Sequence, residues 1–189
     1  MAVRKLLFGG MVVVGFLVIL GIAAGQEAAK SKLLNGFEND ADLAGMEFTD
    51  CDHELVKDKA VVTQGESALK LKIKKTDGAS GVEFLPENKM LRGWEAYDLL
   101  QIDVNNKSDK DVEMSFRFDD KASTNYQTRA NIVKTLRPGA NTVKFMVKEL
   151  TRENGEKMNI ADLNRVLFFV WQPTSEFEVI FDNVRLEKE

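Results

Sequence analysis

Alternation of apolar and polar residues recurs along much of this 189-residue chain and is clearest in its middle. Residues 100–105 and residues 112–119 both repeat with a period of two, which is the spacing of a β-strand with one buried face. The intervening residues 106–111 are polar and turn-forming, so we predict an antiparallel hairpin. In such a hairpin both polar rows lie on one face of a sheet, and the rows comprise Gln101, Asp103, Glu113, Ser115, Arg117 and Asp119.

Further short alternating segments predict strands on both sides of this hairpin. They lie at 69–73, 82–84, 143–147 and 177–181, and turn-forming residues separate them. The segment 167–170 is apolar at every position, as expected of a central strand that is covered on both faces or of a strand that lines a layer junction. With about ten strands and no βαβ alternation, the chain is predicted to be all-β, a two-sheet antiparallel β-sandwich of the jelly-roll kind.

The segment 125–133 is predicted to be one more strand beside the hairpin. Its alternation places Ala130 and Ile132 toward the core and puts Tyr126 in the same buried phase. In that register Arg129 extends the polar row on the outer face.

The last predicted strand changes phase near the end of the chain. Residues 177–181 alternate in one phase, whereas residues 184–186 continue in the other. A one-residue change of phase is what a β-bulge produces, so we predict a bulge at Asp182 and Asn183. Such a bulge would turn the Asp182 carboxylate out of the ladder.

The N-terminal segment has the features of a targeting sequence. Arg4 and Lys5 precede an uncharged, mostly apolar run at 6–24, and small residues end this run at 23–25. We therefore expect a secretory signal. An uncleaved membrane anchor is the alternative, because the apolar run is just long enough to span a bilayer.

These features divide the chain into three parts. Residues 1–25 are the predicted signal peptide or membrane anchor, residues 26–32 a polar linker, and residues 33–189 the β-sandwich domain. The expected location is secreted or periplasmic, with anchoring to the membrane by residues 6–24 as the alternative.

Charge and composition exclude several classes of function. The net charge is −4 with acidic and basic residues interspersed, and no basic stripe is present, so nucleic acid is not expected as a partner. Cys51 is the only cysteine and His53 the only histidine, which leaves a zinc ion short of ligands. No Gly-x-Ser-x-Gly elbow, phosphate loop or dinucleotide fingerprint occurs, and we predict that the protein is not an enzyme.

Five short segments of the chain form a recognisable order. They are 34–38 (LNGFE), 65–71 (GESALKL), 94–98 (WEAYD), 138–143 (PGANTV) and 181–186 (FDNVRL). Together they resemble the galactose-binding-like jelly rolls, a group that includes many carbohydrate-binding modules. The resemblance implies noncovalent binding of a polysaccharide or glycan. A structural or assembly module that contacts a protein partner is the alternative, because this sandwich serves both purposes.

The same resemblance implies a structural calcium ion that ties the first strand to the last. The matching positions are Glu38 and Asp182. Carboxylates and backbone carbonyls are the hard oxygen ligands that calcium requires, although two carboxylates alone underfill its shell. The alternative is an ordinary acid at each position.

A glycan site needs flat aromatic rings for sugar faces and polar side chains for sugar hydroxyls. Tyr126 and Trp171 are the aromatic candidates, whereas Trp94 is expected in the core. The polar candidates are Gln101, Asp103, Ser115, Arg117, Asp119 and Arg129. The alternatives are that the polar row only meets water, or that a protein contacts this face or the row of Lys70, Lys72 and Lys74.

Overall fold

The computed structural model describes residues 30–189, which form eleven strands and five short 3₁₀ turns. The strands are β1 (Ser31–Asn35), β2 (Met46–Thr49), β3 (Cys51–Val56), β4 (Ala68–Ile73), β5 (Ala79–Phe84), β6 (Leu99–Asn106), β7 (Val112–Asp120), β8 (Ala130–Leu136), β9 (Gly139–Met146), β10 (Leu163–Trp171) and β11 (Phe177–Glu187). The 3₁₀ turns are Asp40–Leu43, Lys89–Leu91, Tyr126–Thr128, Val147–Glu149 and Ile160–Asp162.

The predicted signal or anchor at 1–25 lies outside the described residues. Strand β1 begins at Ser31, inside the predicted linker 26–32. Within the described part of the chain, no helix is long and apolar enough to cross a membrane.

The strands form two antiparallel sheets around one core, which confirms the predicted β-sandwich. Sheet 1 has the order β3-β4-β11-β6-β9, and β1 pairs with the last part of β11. Sheet 2 has the order β2-β5-β10-β7-β8. Strand β10 is therefore the central strand of sheet 2, with β5 on one side and β7 on the other.

Aromatic side chains fill the space between the two sheets. Phe116 of sheet 2 meets Phe145 of sheet 1 with ring centroids 5.1 Å apart, and Phe168 meets Phe181 at 5.5 Å. Trp94 is fully buried, as predicted, and its indole N–H donates to a backbone carbonyl at 2.7 Å. Burial of each large apolar side chain contributes about 1.5–3 kcal/mol, so the alternating pattern is what holds the layers together.

The predicted hairpin at 100–119 is wrong. Strand β6 belongs to sheet 1 and β7 to sheet 2, so the connection at 107–111 crosses between the layers. Buried Asn106 holds this crossing, because its Nδ2 donates to Lys110 O at 2.8 Å and to Leu136 O at 3.0 Å. The polar rows of β6 and β7 therefore face opposite sides of the sandwich.

The strand predicted at 125–133 is wrong in its first half. Residues Tyr126–Thr128 form a 3₁₀ turn, and Asn125 caps it by accepting a hydrogen bond from Gln127 N at 2.9 Å. Asparagine favours such caps because its side chain replaces a missing backbone acceptor. Strand β8 begins only at Ala130, so Tyr126 lies outside the strand and is exposed instead of buried.

The predicted bulge in β11 is confirmed. The register of β11 against β6 shifts between Asp182 and Arg185, and Asn183 has a φ of 50°. Asparagine tolerates this left-handed conformation better than most residues. The extra residue lets Phe181 and Val184 both face the core.

Candidate functional site

The outer face of sheet 2 carries an apolar row along its central strand. Alternate residues of β10 face the core, so Leu167, Phe169 and Trp171 face outward. Trp171 is 61% exposed, and the other two side chains are half-buried. The prediction that the segment 167–170 is covered on both faces is therefore wrong on the outer side.

Small residues on the neighbouring strand β5 flank this row. Gly81 lies opposite Phe169, and a Cβ atom at Gly81 would be 2.1 Å from Phe168 O and 2.8 Å from Phe169 Cβ. Any side chain at position 81 would collide with β10, so glycine allows the close approach of the two strands. Ala79 lies opposite Trp171. No bulky side chain of β5 therefore stands beside either aromatic ring.

Two arginine–carboxylate pairs lie on the same outer face. Arg117 on β7 donates from Nε to Asp119 Oδ1 at 2.8 Å. Arg165 on β10 donates from Nη2 to Glu83 Oε2 at 2.6 Å. Asp119 is the register partner of Arg165, so the two pairs are adjacent, and half-buried Ser115 lies further along β7. These side chains offer hydrogen-bond donors and acceptors suited to hydroxyl groups.

Tyr126 and Arg129 lie at the end of the face where these pairs are found. Tyr126 is 58% exposed. The Arg129 side chain donates from Nε to Asn125 O at 3.1 Å. Burial and the positive charges of Arg117 and Arg165 lower the pKa of the Arg129 guanidinium. The structure thus brings three cationic side chains together beside an exposed aromatic ring.

Gln101 and Asp103 lie on the outer face of sheet 1, on the opposite side of the sandwich from Ser115 and Arg117. Gln101 is buried and accepts a hydrogen bond from Arg185 Nη2 at 3.1 Å. Asp103 accepts hydrogen bonds at 2.9 to 3.2 Å from Thr63 Oγ1, Thr142 Oγ1, Asn183 Nδ2 and Arg185 Nη1. The prediction that these two residues share a ligand-binding face with the β7 row is therefore wrong.

Asp182, one of the two predicted calcium ligands, is buried in the bulge and accepts hydrogen bonds on both oxygens. Its Oδ2 accepts from Thr63 N at 2.6 Å and Gln64 N at 2.9 Å, and its Oδ1 accepts from Asn183 N at 2.6 Å. Burial raises the pKa of this carboxyl against the effect of these bonds. Both oxygens of Asp182 therefore already have N–H partners, and this geometry gives no separate indication of a cation there.

Glu38, the other predicted calcium ligand, has one oxygen without a partner. Its Oε2 accepts from Glu66 N at 2.8 Å and Ser67 N at 3.2 Å. Its Oε1 is buried and meets no donor, and the same is true of Oε1 of Gln64. A Cβ atom on Gly36 would lie 2.2 Å from the Gln64 oxygen and 3.4 Å from the Glu38 oxygen, so both oxygens border one small space.

The donor set beside this space is one that a cation accepts. Two neighbouring buried acceptors without a hydrogen-bond donor are satisfied by a bound ion or by a donor such as water. Glycine at position 65 keeps the space open, since a Cβ there would lie 1.7 Å from Glu38 Oε1. Residues 30–189 hold no cluster of three or more His, Cys, Asp or Glu arranged for a metal. A calcium site at Glu38 would therefore use the Gln64 amide oxygen and backbone carbonyls, which calcium accepts.

Cys51 and His53 do not form a reactive pair. The Cys51 thiol donates to Gly81 O at 3.2 Å, and burial raises its pKa to about 11. The thiol is therefore protonated and unreactive at neutral pH. His53 stacks on Phe48, with ring centroids 3.6 Å apart.

Several residues of the outer face and of the space beside Glu38 are not among the residues predicted from the sequence. For Leu167 and Phe169 a signal exists, because in a sandwich of two layers a strand that is apolar at every position has one apolar side that no layer covers. Arg165 has no local signal, since its partner Glu83 lies 82 residues earlier in the chain. The sequence around Gln64 gives no signal either, because Gln64 becomes a candidate ligand only through its position beside Glu38, which lies on another segment.

No protein-family model matches the sequence, and no curated protein matches it. Solved structures do match its fold. A family 11 carbohydrate-binding module of Clostridium thermocellum, in complex with a β-1,3-1,4-mixed-linked tetrasaccharide, is 12% identical with a TM-score of 0.61, and the match covers 84% of this chain and 95% of the module. A family 30 carbohydrate-binding module of a cellulosomal cellulase from the same organism is 18% identical with a TM-score of 0.51, covering 85% and 95%.

An enzyme chain contains the same fold as one of its parts. An exo-β-agarase is 14% identical with a TM-score of 0.67, and the match covers 83% of this chain but only 25% of the agarase chain. At such low identity these likenesses show the fold alone. The chain has the jelly-roll sandwich found in carbohydrate-binding modules.

Proposed function

We propose that the protein is a noncatalytic module that binds a polysaccharide or other glycan across the outer face of sheet 2. The observation that carries this proposal is the exposure of two aromatic side chains on that face, Trp171 at 61% and Tyr126 at 58%. Large aromatic side chains that are exposed to solvent are typical of binding surfaces. Their flat rings can stack on the apolar C–H side of a sugar ring.

The dimensions of the face suit an extended sugar chain. Trp171 and Arg165 are six positions apart on β10, which corresponds to roughly 20 Å at about 3.3 Å per residue. Leu167 and Phe169 lie between them, and β7 supplies hydroxyl and guanidinium groups alongside. The face is therefore long enough for several consecutive sugar rings, with an aromatic ring at each end.

Two of the acids on this face, Asp119 and Glu83, favour binding without catalysis, whereas exposed Glu47 and Glu113 on the same face have no ion pair within residues 30–189. Glycoside hydrolysis requires one carboxyl group to donate a proton and a second to act as base or nucleophile. Asp119 and Glu83 are instead each held by an arginine, Arg117 and Arg165 respectively. Neither acid presents a free carboxyl group to a substrate.

We also propose that a calcium ion binds beside Glu38. Its side-chain ligands would be Oε1 of Glu38 and Oε1 of Gln64, the two buried oxygens without donors. Asp182 is left out of this site, because its oxygens already accept N–H groups. The ion would neutralise Glu38 and connect the segment after β1 to the loop before β4, so its role would be structural.

We propose that the protein acts outside the cytoplasm, as a secreted or periplasmic protein. The support for this is the apolar segment at 6–24 and the small residues at 23–25. Retention as a membrane anchor is the alternative. Mass spectrometry of the mature N-terminus would distinguish the two, since cleavage removes residues 1–25.

A glycan array with the wild-type protein and with Trp171→Ala tests the binding proposal. We expect the wild type to bind at least one class of polysaccharide and the variant to bind it more weakly. Leu33→Ala is the matched control, because Leu33 is also an exposed apolar residue but lies on β1 of sheet 1. The proposal fails if the wild type binds no glycan, or if Trp171→Ala binds as well as the wild type.

The second candidate function is a structural or assembly module that contacts a protein through its lysine row. Each lysine of that row already has an acidic partner nearby. The pairs are Lys70 with Glu54, Lys72 with Glu176 and Lys74 with Asp52. The row therefore has little uncompensated charge to offer a partner, and the glycan proposal is favoured.

A further inference from the structure

Three arginine side chains meet at the end of the outer face that is remote from Trp171. Two of them are neutralised, since Arg117 pairs with Asp119 and Arg165 pairs with Glu83. The third, Arg129, makes no ion pair with any residue in the described range 30–189. Its only side-chain hydrogen bond there goes to a backbone carbonyl.

The positive charge of Arg129 is not compensated by its surroundings. Burial is the largest cause that lowers the pKa of its guanidinium, and the positive charges of Arg117 and Arg165 lower this pKa further. The negative charge of Asp119 raises the pKa, but by less than the other effects lower it. Of the other acids at this end, Glu47 raises the pKa of Arg165, and Oε1 of Glu153 accepts from Asn131 N at 3.3 Å and Asn131 Nδ2 at 3.4 Å. A half-buried cation without a counter-ion gains more from an incoming anion than a solvated or paired cation does.

The geometry leaves the outer edge of the Arg129 guanidinium available. Its Nε donates to Asn125 O at 3.1 Å, which orients the group, while Nη1 and Nη2 donate to no residue of the described chain. A planar guanidinium with free N–H groups matches two oxygens of a carboxylate or a sulfate. Exposed Tyr126 precedes Arg129 by three residues, and Arg129 N donates to Tyr126 O at 3.5 Å, so a sugar stacked on this ring would bring its substituents close to the guanidinium.

We propose that the bound glycan is acidic, and that Arg129 binds its carboxylate or sulfate ester group. This inference rests on the proposed function and names the substrate class of the same face. The protein as a whole carries a net charge of −4, so attraction of an acidic polymer must come from a local group and not from the overall charge. A charge-assisted hydrogen bond between Arg129 and an acidic group of the glycan is expected to increase the affinity about tenfold or more over a neutral glycan.

Isothermal titration calorimetry with two matched pairs of polymers tests the inference. One pair is polygalacturonate and its methyl ester, which differ in the charge of the carboxylate. The other pair is a carrageenan and its desulfated form. We expect the acidic member of at least one pair to bind about tenfold more tightly than its neutral partner, and added salt to weaken that binding. The pair that responds identifies the acidic group as carboxylate or sulfate.

Substitutions at Arg129 show whether this residue is responsible. We expect Arg129→Gln to abolish the preference for the acidic polymer. Arg129→Lys should keep part of this preference, because lysine retains the positive charge but lacks the paired N–H donors of the planar guanidinium. Arg137→Gln is the matched control, since Arg137 is an exposed arginine on the turn between β8 and β9. Melting curves of each variant establish that the compared proteins are folded.

The outcomes separate this inference from the proposed function. The inference is overturned if the wild type binds neutral glycans and shows no preference within either pair. It is also overturned if folded Arg129→Gln keeps the preference. In both cases the glycan-binding function stands. If no glycan binds the wild type on the array, the proposed function itself has failed.

Discussion

Calcium is expected to stabilise the domain through Glu38 and Gln64. Each of these residues has a buried oxygen without a hydrogen bond, and a buried unsatisfied polar group costs about 1–3 kcal/mol. An ion that binds both oxygens removes this cost and stabilises the folded state by about 2.7 kcal/mol when its concentration is a hundredfold above the dissociation constant. In a domain of this size that corresponds to a rise in Tm of roughly 5–10 °C.

Substitutions separate the effect of the ion from the effect of packing. Gln64→Met removes the amide oxygen and keeps a side chain of similar length, so we expect the calcium response to be lost. Without calcium the same variant should be at least as stable as the wild type, because one unpaired acceptor is gone. Asp182→Asn provides the contrast. It should lower Tm equally with and without calcium, because Asp182 accepts N–H groups and is not a ligand.

The assay is a thermal melt followed by circular dichroism, in excess chelator and in excess calcium, with magnesium as the ion control. If the wild-type Tm is the same in chelator and in calcium, no calcium ion binds beside Glu38. In that case the Gln64 amide is rotated, so that its Nε2 donates a hydrogen bond to Glu38 Oε1.

Three other predictions concern binding, strand packing and pH. An exposed face of Trp171 that covers roughly 75 Å² of sugar is worth about 2 kcal/mol, so Trp171→Ala should weaken glycan binding about 30-fold in calorimetry with Tm unchanged. Gly81→Ala should lower the free energy of unfolding by about 1–3 kcal/mol in urea titrations, because its Cβ meets β10. Against the effect of burial, hydrogen bonds from Asn159 N and Arg152 Nη2 lower the pKa of Asp120. The stability that Asp120 contributes is therefore present above the unfolded pKa and lost as pH falls through the folded pKa, and Asp120→Asn should flatten acid-unfolding curves in this range.

The class of the fold and the inward face of most strands are predictable from the pattern of residues along the chain. Burial of one side of a sheet imposes a period of two, and that period is visible without any knowledge of the pairing. The bulge at Asp182 was predictable for the same reason, because an inserted residue shifts the period by one. The burial of Trp94 was expected from its position in the resemblance, and it is confirmed.

Which side chains share a surface depends on how the strands are assigned to the two sheets, and the residue pattern does not contain this assignment. A period of two states whether a residue faces the core, but it is identical for two strands in one sheet and two strands in opposite layers. The crossing between β6 and β7 depends on Asn106 meeting Leu136, 30 residues away, and this crossing separates Gln101 and Asp103 from Arg117. The exposed arginine end and the space beside Glu38 are likewise assembled from distant segments, so no local pattern could contain them.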